Sequence, residues 1–89
     1  MIQLSKTFIV PNELGLHARA ATRFTQLVSG YTSDVVVDSN SLSANAKSVL
    51  ELMTLGVAQG GELTIHVSGI DADTVMAAIE NLFANNLGE

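Results

Sequence analysis

His17 stands in the stretch Gly15-Leu16-His17-Ala18-Arg19, where a glycine-broken loop meets the first residues with helical spacing. The start of a helix leaves backbone N–H groups without partners and carries a partial positive charge, which makes it a ready seat for a phosphate. That charge disfavours an imidazolium. A ring whose ordinary pKa is ~6.5 is then expected to be neutral and nucleophilic at neutral pH. Arg19, on the first turn, supplies a fixed positive charge for a phosphoryl group added to the ring. Gly15 gives the loop a sharp turn and room for a bulky partner. Nucleophile, amides and arginine together make a phosphoryl acceptor. Spacing alone leaves a second reading open, in which His17 only caps the helix.

Ser48 is the next candidate. In Ser48-Val49-Leu50-Glu51 the serine is expected to accept from a helix N–H and Glu51 to reach back to the serine N–H, a capping box that accounts for the serine without chemistry. His66 lies between Thr64 and Ser68 on the polar face of a strand, has no second ligand or base in the neighbouring sequence, and reads as a surface residue. Asp34, Asp38, Asp71 and Asp73 read as turn and helix-start residues, placed there for local reasons. There is no catalytic triad, Walker loop or metal-ligand cluster, and no cysteine, so no metal or cofactor is expected.

The net charge of −5 argues against nucleic acid, which wants a basic face. Of the four basic residues, Arg19 and Arg23 follow His17 and Lys47 precedes Ser48, a placement that fits either an anion site or ordinary surface charge. No apolar run approaches the ~18 residues of a membrane span, and no signal-peptide pattern opens the chain. The expectation is one cytoplasmic domain over residues 1–89, without membrane insertion.

These residues need elements to hold them. Met1 leads into a strand over Leu4 to Val10, and Pro11 to Leu16 is a loop. Ala20, Ala21, Phe24, Leu27 and Val28 mark one face of a helix from Ala18 to Ser29, with Gly30 as a left-handed stop. Ser33 to Asp38 and Leu42 to Ala46 are strands around an Asp38-Ser39-Asn40-Ser41 turn. Ser48 to Leu55 is a short helix ended by Gly56. Glu62 to Ser68 alternates cleanly, with Leu63, Ile65 and Val67 inward. Asp71 caps a last helix carrying Val75, Ala78, Ile79, Leu82 and Phe83 on one face, and Asn85 to Glu89 is expected to fray. One-faced strands and one-faced helices bury each other most simply as an antiparallel sheet with every helix on one side.

Gly15 to Ala21 resembles the active-site signature of the histidine-containing phosphocarrier proteins (HPr) of the bacterial phosphoenolpyruvate-dependent phosphotransferase system. Ala46 to Gly56 resembles the family's segment around its regulatory serine, and the match in spacing runs from Leu4 to Phe83. The resemblance implies an α+β open-faced β-sandwich, βαββαβα, with a four-stranded antiparallel sheet in order 1-4-2-3 and three helices on one face. It implies a carrier, and not an enzyme with turnover, that takes a phosphoryl group on Nδ1 of His17 from phosphorylated enzyme I. The carrier then passes the group to the A domains of enzymes II, in sugar uptake. Arg19 corresponds to the phosphate-stabilising arginine. The docking surface comprises Ala18, Ala20, Arg23, Lys47, Val49, Leu50 and Met53, with Leu52 and Leu55 inward and Arg19, Arg23 and Lys47 as a positive rim for acidic partners.

Some relatives are phosphorylated at the residue matching Ser48 by an HPr kinase/phosphorylase. Two departures stand out: Ala20 where proline is usual, and Leu14 where many relatives carry a small polar residue. The nitrogen-related carrier (NPr) shares the histidine motif, but Thr54 to Gly60 looks more like the sugar branch. A third reading is a regulatory binding module that has lost transfer, against which His17 and Arg19 both count. Nothing demands an oligomer, so a monomer is expected.

Overall fold

Alternation is clearest in β4 (Glu62–Gly69), where Leu63, Ile65 and Val67 are buried and Thr64, His66 and Ser68 are half-exposed. A strand with one apolar face needs neighbours on both edges and a cover on that face. In the computed structural model, which describes residues 2–89, the neighbours are β1 (Ile2–Ile9) and β2 (Asp34–Ser39). The strand β3 (Leu42–Asn45) completes the antiparallel order β1-β4-β2-β3. The cover is α1 (Ala18–Ser29), α2 (Val49–Thr54) and α3 (Ala72–Ala84). The lead-in role read for Met1 lies outside the described residues.

The βαββαβα order and the 1-4-2-3 topology are those the sequence implied. Boundaries shift by a residue or two, as hydrogen-bonded ends do. Val10 falls just outside β1, although it donates to Gly61 O and accepts from Gly60 N, both at 2.9 Å. Asn40 and Ser41 make the two-residue hairpin, with φ of 49° and 68°, the pair of left-handed conformations that matches strand twist. Phe83 of α3 ties the layers together. Its ring lies 4.6 Å from Phe8 of β1 and 5.9 Å, edge-on, from Phe24 of α1.

Four local expectations are corrected. Gly30 is right-handed (φ −78°), because the helix end tightens with Gly30 N–H donating to Leu27 O and Tyr31 N–H to Val28 O. Asp71 sits at the start of α3 but makes no side-chain cap. Its carboxylate accepts instead from Thr32 N and Ser33 N, both at 2.9 Å, and from the Ser33 hydroxyl. Those bonds, the Ser33 hydroxyl foremost, hold its pKa down at about 2. The capping box is half formed: Glu51 N donates to Ser48 Oγ at 3.3 Å, but the Glu51 carboxylate takes Asn45 N at 3.0 Å, because Ser48 N is already bound to Asn45 O.

The fourth correction concerns the tail. Asn85 to Glu89 does not fray; Asn86–Gly88 form a 3-10 turn and Leu87 is fully buried. Burial of Leu87, together with the bonds that Arg19, Arg23 and His17 make to Glu89 and Gly88, offsets the chain entropy lost by ordering one more turn.

Candidate functional site

The loop before α1 is fixed by close backbone approach. Gly15 has φ +68°, and a Cβ on it would lie 2.5 Å from Val57 O and 2.9 Å from the Ala58 Cα. Leu16, buried, donates its N–H to Val57 O at 2.9 Å. The chain therefore arrives at His17 against the segment that follows α2. His17 is the N-cap of α1, with extended backbone, and its carbonyl accepts from Ala21 N at 2.8 Å.

The two ring nitrogens face different partners. Nδ1 accepts from Arg19 N at 3.3 Å, at the helix start. Nε2 lies 2.6 Å from a carboxylate oxygen of Glu89. A backbone N–H can only donate, and an ionised carboxylate can only accept. Those partners assign the neutral ring a proton on Nε2 and a lone pair on Nδ1. The capping contact thus falls on Nδ1, the nitrogen that the resemblance implies as the phosphoryl acceptor.

Glu89 gathers the local positive charge. Arg19 donates from Nε at 2.9 Å and Nη2 at 2.7 Å, a bidentate fork. Arg23, one turn on, donates from Nη1 to the carboxylate at 2.5 Å and also to Gly88 O. The Arg19 hydrogen bonds, and after them that of His17, hold the Glu89 carboxyl down at about 2, and Glu89 in turn raises Arg19. A carboxylate seated among two guanidiniums and the ring marks where an anion rests beside His17.

Because the folded value lies below the ordinary one of 4.5, the tail's electrostatic anchoring is complete above that pH and is lost as pH falls toward 2. Following the amide shifts of residues 85–89 by NMR should give an acid midpoint near 2 at low salt. A midpoint in the ordinary glutamate range would mean that the carboxylate is not held.

The proposed docking residues divide. Ala18 is exposed, Leu50 is 77% and Met53 41% exposed, and Val49 is half-buried, while Leu52 and Leu55 point into the core. Leu14, in the loop before His17, is also exposed at 64%. Ala20 is corrected: it is fully buried under α1 and has no surface for a partner. Lys47 is corrected too. Its ammonium donates to Tyr31 O at 3.0 Å, beyond the C-terminal end of α1. Tyr31 stands twelve residues beyond Arg19 and eight beyond Arg23, about 18 and 12 Å along the axis, so the Lys47 ammonium lies apart from the arginines that follow His17.

Sequence reasoning missed Glu89, which stands 72 residues from His17 with no periodic signal to place it. It also gave His66 and Asp38 no shared role. Ser5 Oγ lies 2.7 Å from His66 Nδ1, His66 Nε2 lies 2.9 Å from Asp38, and Ser43 donates to Asp38 at 2.6 Å. The chain of bonds crosses all four strands on the open face, and Ser43, then His66, lowers the Asp38 pKa. Asp38 is therefore a strand residue with cross-strand partners, not a turn residue. The signal was available: the 1-4-2-3 order puts Ser5 opposite His66 and Asp38 opposite Ser43.

The comparisons with known proteins bear directly on this site. A family model described as "PTS HPr component phosphorylation site" matches residues 4–85. A relative named phosphocarrier protein HPr, from Xylella fastidiosa (strain 9a5c), is 36% identical over 97% of each chain. Another of that name, from Cupriavidus necator, is 38% identical over 100% of this chain and 98% of its own. Among solved structures, HPr of Thermoanaerobacter tengcongensis superposes with a TM-score of 0.91 at 34% identity, over 97% of each chain. A structure of that protein described as a dimer superposes at 0.77 with 34% identity, over 92% of this chain and 94% of its own. The chain belongs to the HPr family of phosphocarrier proteins of the phosphotransferase system.

Proposed function

We propose that this protein carries a phosphoryl group on Nδ1 of His17, accepted from phosphorylated enzyme I and passed to enzyme II A domains in sugar uptake. The observation that carries the reading is the division of labour on the ring. Nε2 is tied to Glu89, and the lone pair of Nδ1 points at the N–H groups of a helix start. In transfer, that lone pair attacks phosphorus, and the donor's bond to phosphorus breaks with its electrons returning to the donor. The ring becomes cationic, with its Nε2–H facing the Glu89 carboxylate that balances the charge. The phosphoryl oxygens accept from the amides that open α1, and Arg19 moves from Glu89 to the new anion. Transfer onward reverses these steps, so the protein is substrate and donor in a relay, with no turnover of its own.

The exposed apolar residues Leu50 and Met53, with Ala18 and the arginines, form the docking surface in this reading. Partners with an apolar patch and an acidic rim fit it. Its acidity disfavours nucleic acid. Among the described residues no helix is long and apolar enough to cross a membrane. We place the whole chain in the cytoplasm as one domain acting as a monomer; the dimer of the Thermoanaerobacter relative makes oligomeric state worth measuring. Ser48 is half-buried and its Oγ holds Glu51 N. Phosphorylation there by an HPr kinase/phosphorylase would set new negative charge beside Glu51, at the start of the docking helix.

Intact-mass analysis after incubation with phosphoenolpyruvate and enzyme I tests the proposal. The parent should gain one acid-labile phosphoryl group and His17→Ala none. No gain with either the sugar or the nitrogen-related enzyme I, from folded protein, would discard the carrier reading. Uptake from the nitrogen-related enzyme alone would move the protein to that branch.

A further inference from the structure

Asn12 is almost wholly buried, yet it lies in the loop before His17 and not in the apolar core. Its backbone carbonyl accepts from Gly15 N at 3.1 Å, closing a turn. Its side-chain Nδ2 then crosses that turn and donates to Gly15 O at 2.7 Å. The same oxygen accepts from His17 N at 2.9 Å. The peptide joining Gly15 to Leu16 is thus gripped at both ends: its oxygen by Asn12 and His17, and its N–H by Val57 O at 2.9 Å. Only two rotatable backbone bonds at Leu16 separate that peptide from the next one, which leads into His17.

The grip is held at a cost. Asn12 Oδ1 is buried with no hydrogen-bond partner among the described residues. A buried, unpaired amide oxygen disfavours the folded state. An apolar side chain would avoid that penalty but could not hold Gly15 O. A buried group of this kind calls for an explanation, and the hold on Gly15 O supplies one.

From these contacts, and resting on the carrier reading, we infer that Asn12 is a positioning residue for phosphoryl transfer. It fixes the Gly15–Leu16 peptide so that Nδ1 of His17 stays aimed at the start of α1. It touches neither the ring nor the phosphoryl group. Its loss frees the peptide to rotate and lets the ring leave its cap position, which misplaces the nucleophile without altering the surface a donor docks on.

The test compares the parent with Asn12→Ala and with the near-isosteric Asn12→Asp, which keeps the shape and loses the donor. With phosphorylated enzyme I as donor, both variants should be phosphorylated at least about tenfold more slowly at saturation, with half-saturating donor concentration within about twofold of the parent. The 15N shifts of the His17 ring should move from those of an Nε2–H ring toward a tautomeric average. In the parent, the Asn12 carboxamide protons should exchange slowly with water. Parent-like saturated rates and ring shifts in a folded variant would overturn the inference. Fast carboxamide exchange in the parent would overturn it even if neither variant folds. A parent that accepts no phosphoryl group would discard the carrier reading instead, and the ring and exchange readouts would still decide whether Asn12 positions His17.

Discussion

Gly15→Val should unfold much of the protein's margin of stability and, in whatever fraction stays folded, abolish phosphoryl uptake. Two penalties coincide at this residue. Its φ of +68° lies in the left-handed region, which costs an L-residue roughly 1–2 kcal/mol and a β-branched one more. The new Cβ would also meet Val57 O at 2.5 Å and the Ala58 Cα at 2.9 Å. Both are backbone atoms that cannot swing aside, so overpacking adds roughly 1–3 kcal/mol. A total of about 2–5 kcal/mol consumes a large share of the roughly 5–15 kcal/mol that holds a domain folded. Urea unfolding measures it. Gly56→Ala is the matched control, because Gly56 has φ +60° but nothing within 4 Å of its missing Cβ. Gly15→Ala should lose clearly more than Gly56→Ala, and equal losses would show that the loop yields to the clash.

Arg19→Ala should slow phosphoryl acceptance by roughly 10²-fold, the scale of one donor removed from a developing anion. The same substitution should release the tail, since Arg19 supplies the bidentate fork on Glu89. Glu89 then titrates nearer its ordinary range and the amides of residues 86–89 shift. Arg19→Lys keeps the charge but not the fork, and should fall between parent and alanine in both readouts. Single-turnover transfer from phosphorylated enzyme I gives the rate. A rate within threefold of the parent would leave Arg19 as an anchor for the tail and remove it from the chemistry.

Much of this was legible in the sequence because it is local. The apolar face of α1, the strict alternation of β4 and the Gly15-Leu16-His17-Ala18-Arg19 motif each declare themselves within a dozen residues. What stayed hidden depends on atoms brought together by the fold. Glu89 reaches His17 only because Leu87 anchors a turn that composition marks as loose. Lys47, adjacent to Ser48 in sequence, turns its ammonium to the far end of α1 because Tyr31 O is the acceptor within reach. Asp71 was given a cap role from its position, but two free N–H groups and a hydroxyl across the chain bind a carboxylate better than one helix amide does. Ala20 was not hidden: the helical spacing already put it on the apolar face with Ala21 and Phe24, and that local signal held against the surface place the resemblance implied.

The docked tail also bears on how the protein should be handled. The Glu89 side chain lies on His17, so in the carrier reading anything joined directly after Glu89 starts beside that histidine. The opposite end of the chain behaves differently. Ile2 lies at the far end of the eight-residue strand β1, about 23 Å from Ile9. Purification tags, fluorophores and surface tethers therefore belong before Ile2, where they leave the contacts among Glu89, the arginines and the histidine undisturbed.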